Sequence, residues 1–385
     1  MKKIVPFIIC LISGCMASLA QPTARVIEKE FTSDMVRYPR NILIYTPVQY
    51  DEMTQTDYDV IYVFDSQWRE RFDLVTSLMH YFAQCGIDDL RNYIVVGIAS
   101  PQEEDYNRNN DFLPVPQSME LPSDYIYYGN SSEFKRFISG ELMPWIDSNY
   151  RTTGRTLAVG HSLGASFIID AMVSDEMFDD CIAMSPNFSW DNDRFADEFL
   201  SYDFSKNGDS RFICLTMADE VGDAANMWGE QWGNAWRKVK AFTDSLKFPA
   251  GVVVRVSEFP EYDHSQSVLP ALTQTLAEYA KFRSSETSHS GSEPVAVHIE
   301  LSGSDMNGDI YITGNQEALA NWNPQGIKMQ TIDGFTKVID LSLTLPAEFK
   351  FTRGSWDSQI CVSNGEQGNL RITRADKADK RYLAL

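Results

Sequence analysis

Up to residue 283, short apolar runs alternate with segments whose apolar positions recur at helical spacing. Runs that are apolar at nearly every position are typical of strands buried on both faces of a mostly parallel sheet, because such strands have no solvent face. The alternation therefore predicts an α/β domain with a doubly wound, mostly parallel sheet. The predicted strands are 41–45, 60–64, 93–98, 156–159, 181–184, 212–217 and 251–257, and the predicted helices are 132–149, 165–173 and 228–246.

The pattern changes after a polar, Ser-rich stretch that lacks any apolar period. We interpret residues 284–293 as a linker, so that the α/β domain spans 21–283. Beyond it, short alternating strands are separated by Gly, Asn, Asp and Pro turns. This second segment, 294–385, is predicted to be a small all-β sandwich.

The N-terminus has the layout of a bacterial-type signal peptide, here assigned to residues 1–20. Met1-Lys2-Lys3 precedes an apolar run from Ile4 to Ile12 and then small residues. Cleavage after Ala20 is one prediction; the other is a lipobox that leaves a lipidated Cys15. We expect an exported protein, periplasmic or extracellular, that contacts a membrane only if Cys15 is lipidated. No later stretch has the roughly 18 apolar residues of a membrane span.

Charge and cysteine content exclude other classes of protein. A net charge of −21 without a basic run argues against a nucleic-acid partner. No C-x-x-C zinc pattern is present, and neither a metal nor an organic cofactor is implied. Two of the six cysteines, Cys10 and Cys15, lie in the leader; the other four are expected to be buried free thiols, namely Cys85, Cys181, Cys214 and Cys361.

The strongest chemical signal is the string Gly160-His161-Ser162-Leu163-Gly164. It follows the predicted strand 156–159 and precedes the predicted helix 165–173. A serine in a strained strand-to-helix turn needs flanking glycines to relieve crowding, and the helix N-terminus favours negative charge near its hydroxyl. This context predicts that Ser162 is a nucleophile.

A serine hydroxyl attacks only when a base removes its proton, so a histidine is required. His289 lies in the linker, His298 in the second domain and His80 on an early helix, while His161 is held inside the turn, pointing away from the serine. His264 follows the last predicted strand of the sheet, where the chain order serine, acid, histidine requires the base.

The third member of the site is an acid in the loop after the strand 212–217. Glu220 is favoured, then Asp223, with Asp219 also open. The oxyanion of an acyl-transfer reaction needs two N–H donors, for which we predict the Leu163 N–H and a donor from the loop after an early strand, Gln67.

Six segments of the first domain carry a family resemblance: Val63-Phe64-Asp65-Ser66-Gln67, Arg108-Asn109-Asn110-Asp111-Phe112-Leu113-Pro114, Glu141-Leu142-Met143-Pro144-Trp145-Ile146, Asn149-Tyr150-Arg151-Thr152, the Ser162 turn and Met184-Ser185-Pro186-Asn187. On these segments, the region from about 41 to 280 resembles the esterase family of α/β-hydrolases that includes esterase D-type and enterochelin esterase-like enzymes. This resemblance implies an α/β-hydrolase fold. Ser66 departs from the glycine usual in the family, and Ala218 from a glycine that often precedes the acid loop.

Three segments of the second domain, 310–315, 319–324 and 349–357, carry a second resemblance. On these segments the domain resembles the starch-binding class of carbohydrate-binding modules. Sugar rings stack on flat aromatic faces, and Trp322 matches a position that often contacts sugar, with Trp356 as a second candidate. Either side chain would instead fill the sandwich core if the module served only for packing.

Two further patterns are interpreted structurally. The calcium-like start at Asp305-Met306-Asn307-Gly308-Asp309 lacks the later ligands of a calcium loop and predicts a hairpin turn. Trp228, Trp232 and Trp236 share one helical face, most of which should be core. Trp228, close to the acid loop, is a candidate to line the acyl pocket.

Taken together, these features predict an exported serine carboxylic-ester hydrolase that acts through an acyl-enzyme. Carbohydrate-linked esters, acetyl or feruloyl, are the favoured substrates, with polysaccharide as a partner of the module. The alternatives are a siderophore esterase of the enterochelin type and a glycan-binding surface protein whose hydrolase domain is vestigial.

Overall fold

The computed structural model describes residues 24–84, 92–205, 210–220, 229–285, 293–366 and 368–385. The predicted leader, the predicted linker core, Cys85, Asp223 and Trp228 lie outside these ranges. The first domain contains eight strands in one sheet: β1 Arg25–Phe31, β2 Arg40–Thr46, β3 Tyr58–Phe64, β4 Tyr93–Ile98, β5 Thr152–His161, β6 Asp180–Met184, β7 Arg211–Ala218 and β8 Val252–Phe259.

The strand order is β1-β2-β4-β3-β5-β6-β7-β8. Strands from β4 to β8 pair in parallel, while β1 and β2 add an antiparallel edge. This confirms the α/β architecture with a mostly parallel sheet. The pattern gave no signal for β1, because this half-exposed edge strand carries charged residues instead of an apolar run.

Helices cover both faces of the sheet. On one face α1 and α8 bury Phe72 and Leu276, and on the other face α5, α6 and α7 bury residues such as Phe167 and Phe195. The helices are α1 Arg69–Gln84, α2 Arg108–Phe112, α3 Ser131–Phe137, α4 Met143–Asn149, α5 Leu163–Asp175, α6 Trp190–Ser201, α7 Glu230–Ser245 and α8 Val268–Ser285.

The segment predicted as one helix over 132–149 is interrupted by a π-helical turn, Ile138–Leu142. The N–H of Met143 donates to the carbonyl of Ile138, one residue farther back than in an α-helix. Pro144 follows in the first turn of α4, where its missing N–H does not break a hydrogen-bond ladder.

The second domain is a β-rich sandwich with its own core, which includes Phe349, Phe351 and Tyr382. One sheet has the order β11-β10-β14-β15 with β16 beside β14, and the other has β12-β13-β9-β17. Its strands are β9 Val295–Ser302, β10 Tyr311–Gly314, β11 Ile327–Lys328, β12 Gln330–Thr331, β13 Thr336–Leu343, β14 Ala347–Thr352, β15 Gln359–Ile360, β16 Leu370–Ile372 and β17 Asp379–Leu383; 3₁₀ turns cover Glu317–Trp322, Trp356–Ser358 and Ala375–Lys377.

The predicted hairpin turn at Asp305–Asp309 was wrong. This loop joins β9 to β10, which belong to different sheets, so it crosses between the two layers of the sandwich. Two of its acidic side chains form salt bridges: Asp309 with Lys328 at 2.7 Å and Asp305 with Arg353 at 3.4 Å.

The two domains meet where the parallel strands of the large sheet begin, at their amino-terminal ends. Lys380 Nζ of β17 donates to Asp57 Oδ2 at 2.8 Å and to the Gln55 carbonyl at 3.0 Å, just before β3 begins. Lys377 Nζ donates to the carbonyl of Thr152 at the start of β5 at 2.9 Å. Burial at this contact lowers the pKa of Lys377. The second domain is therefore docked by charged groups that the interface shields from water.

The cysteine prediction was right for Cys181 and Cys214, which are buried free thiols, and wrong for Cys361, which is free but exposed. Burial raises the pKa of the Cys181 thiol to about 12. Across the described parts of the chain, no helix combines the length and the apolar character that crossing a membrane requires.

Candidate active site

Ser162 lies in a sharp turn between β5 and α5. Its backbone angles are φ 61° and ψ −126°, in a region that non-glycine residues rarely adopt. Its N–H donates to the carbonyl of Met184 at 2.9 Å, which ties the turn to the end of β6. The strain is thus held by the sheet on one side and by the helix on the other, an arrangement that exposes a side chain for chemistry.

The flanking glycines are required by close contacts. A Cβ on Gly160 would lie 2.7 Å from Ile168 Cδ1 and 2.8 Å from the carbonyl carbon of Gly164. A Cβ on Gly164 would lie 2.9 Å from Asp65 Oδ2. Both positions therefore exclude a side chain for reasons that the sequence pattern alone does not show.

His264 and Glu220 form the second part of the site. His264 Nδ1 lies 2.6 Å from Glu220 Oε1, and the Glu220 side chain is completely buried. Glu220 follows β7 and His264 follows β8, so the carboxyl ends of neighbouring parallel strands bring together residues 44 positions apart. A carboxylate that accepts from Nδ1–H fixes the tautomer and leaves Nε2 able to act as a base.

Of the two other acid candidates, Asp219 lies within the described residues and Asp223 does not. The backbone N–H of Asp219 donates to the Tyr262 carbonyl at 3.0 Å, which joins the acid loop to the histidine loop. Asp263 Oδ1 accepts from the N–H groups of Ser265 at 2.9 Å and Gln266 at 2.8 Å, so it shapes the loop that carries His264.

His161 supports the histidine loop, a role that the sequence reasoning missed. Its Nε2 lies 2.8 Å from the carbonyl of His264, and the two rings are 4.4 Å apart. Because a carbonyl only accepts, Nε2 carries the proton. Burial, with the neighbouring His264 and Arg71, holds the pKa of His161 well below its ordinary value of 6.5. A neutral His161 therefore packs against the candidate base.

The tryptophan stripe reaches the site through Trp232. Trp232 and Trp236 are buried, as predicted for most of this face. The ring of Trp232 also stands edge-on to the His264 imidazole at 5.7 Å. Its position one helical turn after Trp228 was the available signal for this contact. The proposed role of Trp228 stays a prediction, because that residue is outside the described ranges.

The proposed oxyanion donors lie in two neighbouring turns. Leu163 is the first residue of α5, and Gln67 lies between β3 and α1. The side chain of Gln67 is engaged on both sides: Nε2 donates to Asp65 Oδ1 at 2.9 Å and Oε1 accepts from the Ser100 N–H at 3.0 Å. These bonds hold the Gln67 side chain in one orientation. Within the described parts of the chain, neither backbone N–H donates to another backbone group of the protein.

Ser66 stands where a glycine is usual, and its side chain points toward β4. Its hydroxyl donates to the carbonyl of Val63 at 3.0 Å. A Cβ on Gly97 would lie only 2.6 Å from the Ser66 oxygen, so β4 provides the space for this hydroxyl.

The two tryptophans proposed to contact sugar belong to the second domain. Trp322 is half-buried at the end of a 3₁₀ turn, and Trp356 is 45% exposed. The domain docks at the amino-terminal ends of β3 and β5, whereas Ser162 follows the carboxyl end of β5. A ten-residue strand separates these edges by about 30 Å. Trp322 and Trp356 are thus on a domain remote from Ser162.

Two family models match the chain, one in each domain. Residues 33–253 match the family model described as "Putative esterase", and residues 294–381 match the model of the starch binding domain. The uncharacterized protein YjcH of Bacillus subtilis (strain 168) is 28% identical over 174 residues, which are 44% of this chain and 64% of that protein. The chain thus spans 64% of the length of this relative.

Solved structures share the fold of the first domain. An IroE-like serine hydrolase from Shewanella oneidensis is 21% identical with a TM-score of 0.55, covering 67% of this chain and 80% of that one. The BES protein from Bacillus cereus is 19% identical with a TM-score of 0.55, covering 65% and 94%. Siderophore hydrolase EstA from Aspergillus nidulans is 18% identical with a TM-score of 0.53, covering 68% and 95%. At these identities the likeness shows the fold.

Proposed function

Because the chain belongs to this esterase family, we propose that it is a serine carboxylic-ester hydrolase with Ser162, His264 and Glu220 as its catalytic residues. The observation that carries the proposal is the combination of the strained Ser162 turn with the buried Glu220–His264 pair at 2.6 Å. A buried carboxylate on Nδ1 and a serine in a strained strand-to-helix turn are the parts that nucleophilic acyl transfer needs.

In the proposed reaction, His264 Nε2 takes the proton of the Ser162 hydroxyl while the oxygen attacks the ester carbonyl. The negative charge that develops on the carbonyl oxygen is stabilised by the N–H groups of Leu163 and Gln67. His264 then protonates the departing alcohol, and a water activated by the same base releases the acid from Ser162. Glu220 stabilises the imidazolium in both steps.

The test compares Ser162→Ala with Ser148→Ala, which changes an exposed serine of α4. We expect the wild-type protein and Ser148→Ala to hydrolyse p-nitrophenyl acetate and to react with a fluorophosphonate probe. Ser162→Ala should lose both reactions while keeping its unfolding temperature. Retention of ester hydrolysis by Ser162→Ala would contradict the proposal.

We propose carbohydrate-linked esters, acetyl or feruloyl, as the substrates of an exported enzyme. The support is the starch-binding-domain match together with the leader-like residues 1–20. The second domain docks at the amino-terminal ends of β3 and β5, whereas Ser162 follows the carboxyl end of β5. We therefore propose that it tethers the enzyme to a polysaccharide and does not extend the catalytic cleft. The membrane is a partner only if Cys15 carries a lipid.

A substrate panel separates this proposal from the alternatives. Acetylated and feruloylated oligosaccharides are compared with a catecholate trilactone, the kind of ester that a siderophore hydrolase opens. Faster turnover of the trilactone would replace the carbohydrate assignment without affecting the triad. Binding to starch with no turnover of any ester and no labelling of Ser162 would instead indicate a glycan-binding protein with a vestigial hydrolase domain.

A further inference from the structure

Asp65 lies at the junction of the two turns that carry the proposed oxyanion donors. It directly follows β3, is completely buried and has a left-handed φ of 64°. A buried carboxylate is unfavourable unless it is well paired, and the left-handed conformation adds steric strain to any residue with a side chain. A residue that combines both costs must be held by strong contacts.

Those contacts come from several N–H groups. The guanidinium of Arg108 forms a two-pronged pair, with Nε 2.5 Å from Oδ1 and a terminal nitrogen 2.6 Å from Oδ2. Arg71 donates to Oδ2 at 3.1 Å, and the side-chain amide of Gln67 donates to Oδ1 at 2.9 Å. Four donors fill the lone-pair sites of a carboxylate, so the orientation of Asp65 is fully specified.

The same group touches the serine turn. A Cβ added to Gly164 would lie 2.9 Å from Oδ2 of Asp65, so the carboxylate packs directly on the first turn of α5. The Arg108 guanidinium also reaches the carbonyl of His161 at 3.5 Å. Asp65 therefore contacts the Gln67 side chain, and together with Arg108 it also contacts the turn that carries Leu163. These two turns form the proposed oxyanion site.

The arginines are held in place themselves. The guanidinium carbons of Arg71 and Arg108 lie 4.7 and 5.3 Å from the ring centre of Trp68, and that of Arg108 lies 5.1 Å from the ring centre of Phe112. Stacking on aromatic faces restricts planar guanidinium groups. The assembly is thus a rigid support under the turn that carries Gln67.

We propose that Asp65, with Arg108, is a positioning residue that sets the spacing between the Gln67 and Leu163 N–H donors. The proposal rests on the proposed ester hydrolase function. Asp65 acts through the donors and does not touch the reacting ester. Its loss should therefore lower kcat through poorer stabilisation of the oxyanion and leave ground-state binding of the ester, and hence KM, largely unchanged.

The experiment uses Asp65→Asn with Asp180→Asn as a matched control in the full-length protein. Asp180 is also completely buried and accepts a two-pronged pair from Arg155, at 2.9 and 2.7 Å, but it begins β6 at the opposite edge of the sheet. In both variants an amide NH₂ meets an arginine donor, so the loss of stability should be comparable. Only Asp65→Asn should disturb the site.

The readouts are kcat and KM for p-nitrophenyl acetate at a temperature where all variants are folded, and hydrogen exchange of a peptide spanning residues 65–68. We expect Asp65→Asn to lower kcat about 100-fold, the scale of one lost oxyanion donor, and to speed this exchange, while Asp180→Asn does neither. Arg108→Lys keeps the positive charge but cannot form the two-pronged pair with Asp65. We expect its kcat to lie between those of Asp65→Asn and the wild-type protein.

A kcat of Asp65→Asn equal to that of Asp180→Asn would overturn the positioning role, whatever the exchange rates. Failure of the proposed function has a different signature, namely a wild-type protein that neither hydrolyses the ester nor reacts with a fluorophosphonate at Ser162. In that case the exchange data decide: equal exchange of residues 65–68 in the two Asn variants would show that Asp65 does not hold the turn.

Discussion

Lys380 in the second domain forms an ion pair with Asp57 in the first, with Nζ 2.8 Å from Oδ2 and each side chain only 5% exposed. Such a pair differs from a surface salt bridge because the domain contact removes both groups from water. Loss of Lys380 leaves the buried Asp57 carboxylate with only the longer contact to Lys377, whose Nζ lies 3.7 Å from Oδ1.

Lys380→Met should therefore lower the free energy of unfolding by about 3 kcal/mol. Arg381→Met is the control, since its pair with Asp379 on the same strand has side chains 66% and 60% exposed and should contribute less than about 1 kcal/mol. Urea unfolding followed by tryptophan fluorescence measures both variants. Equal stability of the two would show that the Lys380–Asp57 pair contributes little.

Replacement of the acid tests the Glu220–His264 contact. Glu220→Gln keeps the size of the side chain but removes the charge that stabilises the imidazolium. We expect kcat for p-nitrophenyl acetate to fall by roughly 10³-fold or more, as for a triad whose acid is neutralised, with little change in KM. Asp219→Asn should keep kcat near the wild-type value. The opposite ranking of the two variants would reassign the acid.

His161 should make stability depend on pH. Its pKa in the folded protein is well below 6.5 because the ring is buried beside His264 and Arg71. Below pH about 6.5 the unfolded chain binds a proton that the folded chain does not. The contribution of the neutral ring is therefore complete above that pH and is lost as the pH falls below it.

The measurement is the free energy of unfolding at pH 7.5 and pH 5.5. The wild-type protein should lose about 1 kcal/mol more than His161→Gln on this acidification, since each unit of pKa shift corresponds to about 1.4 kcal/mol. Glutamine can still donate to the His264 carbonyl, so the variant removes titration while keeping a donor. An identical pH dependence for both proteins would exclude His161 as the source.

The exposed ring of Trp356 provides a test of the second domain alone. If it stacks on sugar, Trp356→Ala should weaken binding to soluble starch about tenfold, on the scale of 1–1.5 kcal/mol for a stacked ring. Because the domain docks far from Ser162, hydrolysis of p-nitrophenyl acetate should not change. Trp322→Ala is measured beside it, since that half-buried ring also supports the fold. Unaltered starch binding in Trp356→Ala would remove this residue from the proposed surface.

Much of the fold was predictable because buried parallel strands leave a strong local signal. The predicted strand 93–98 coincides with β4, and the other predicted strands lie inside β2, β3, β5, β6 and β7 or overlap β8. The π-helical turn before Pro144 was not predictable, because helical periodicity cannot distinguish a ladder that shifts by one residue. The edge strand β1 was not predicted, because half its side chains face water and it therefore has no continuous apolar run.

For the site, the sequence by itself determined Ser162 and His264 as candidates, because a strand-to-helix glycine turn and the chain order of a triad are local or ordinal properties. It left Glu220, Asp219 and Asp223 open, and only the tertiary structure placed the Glu220 carboxylate against His264. The structure alone also showed His161 and Trp232 packed on that ring, Asp65 beneath the serine turn, and the second domain at the opposite edge. These relationships join residues far apart in the chain, and the packing of strand ends and side chains in space decides them.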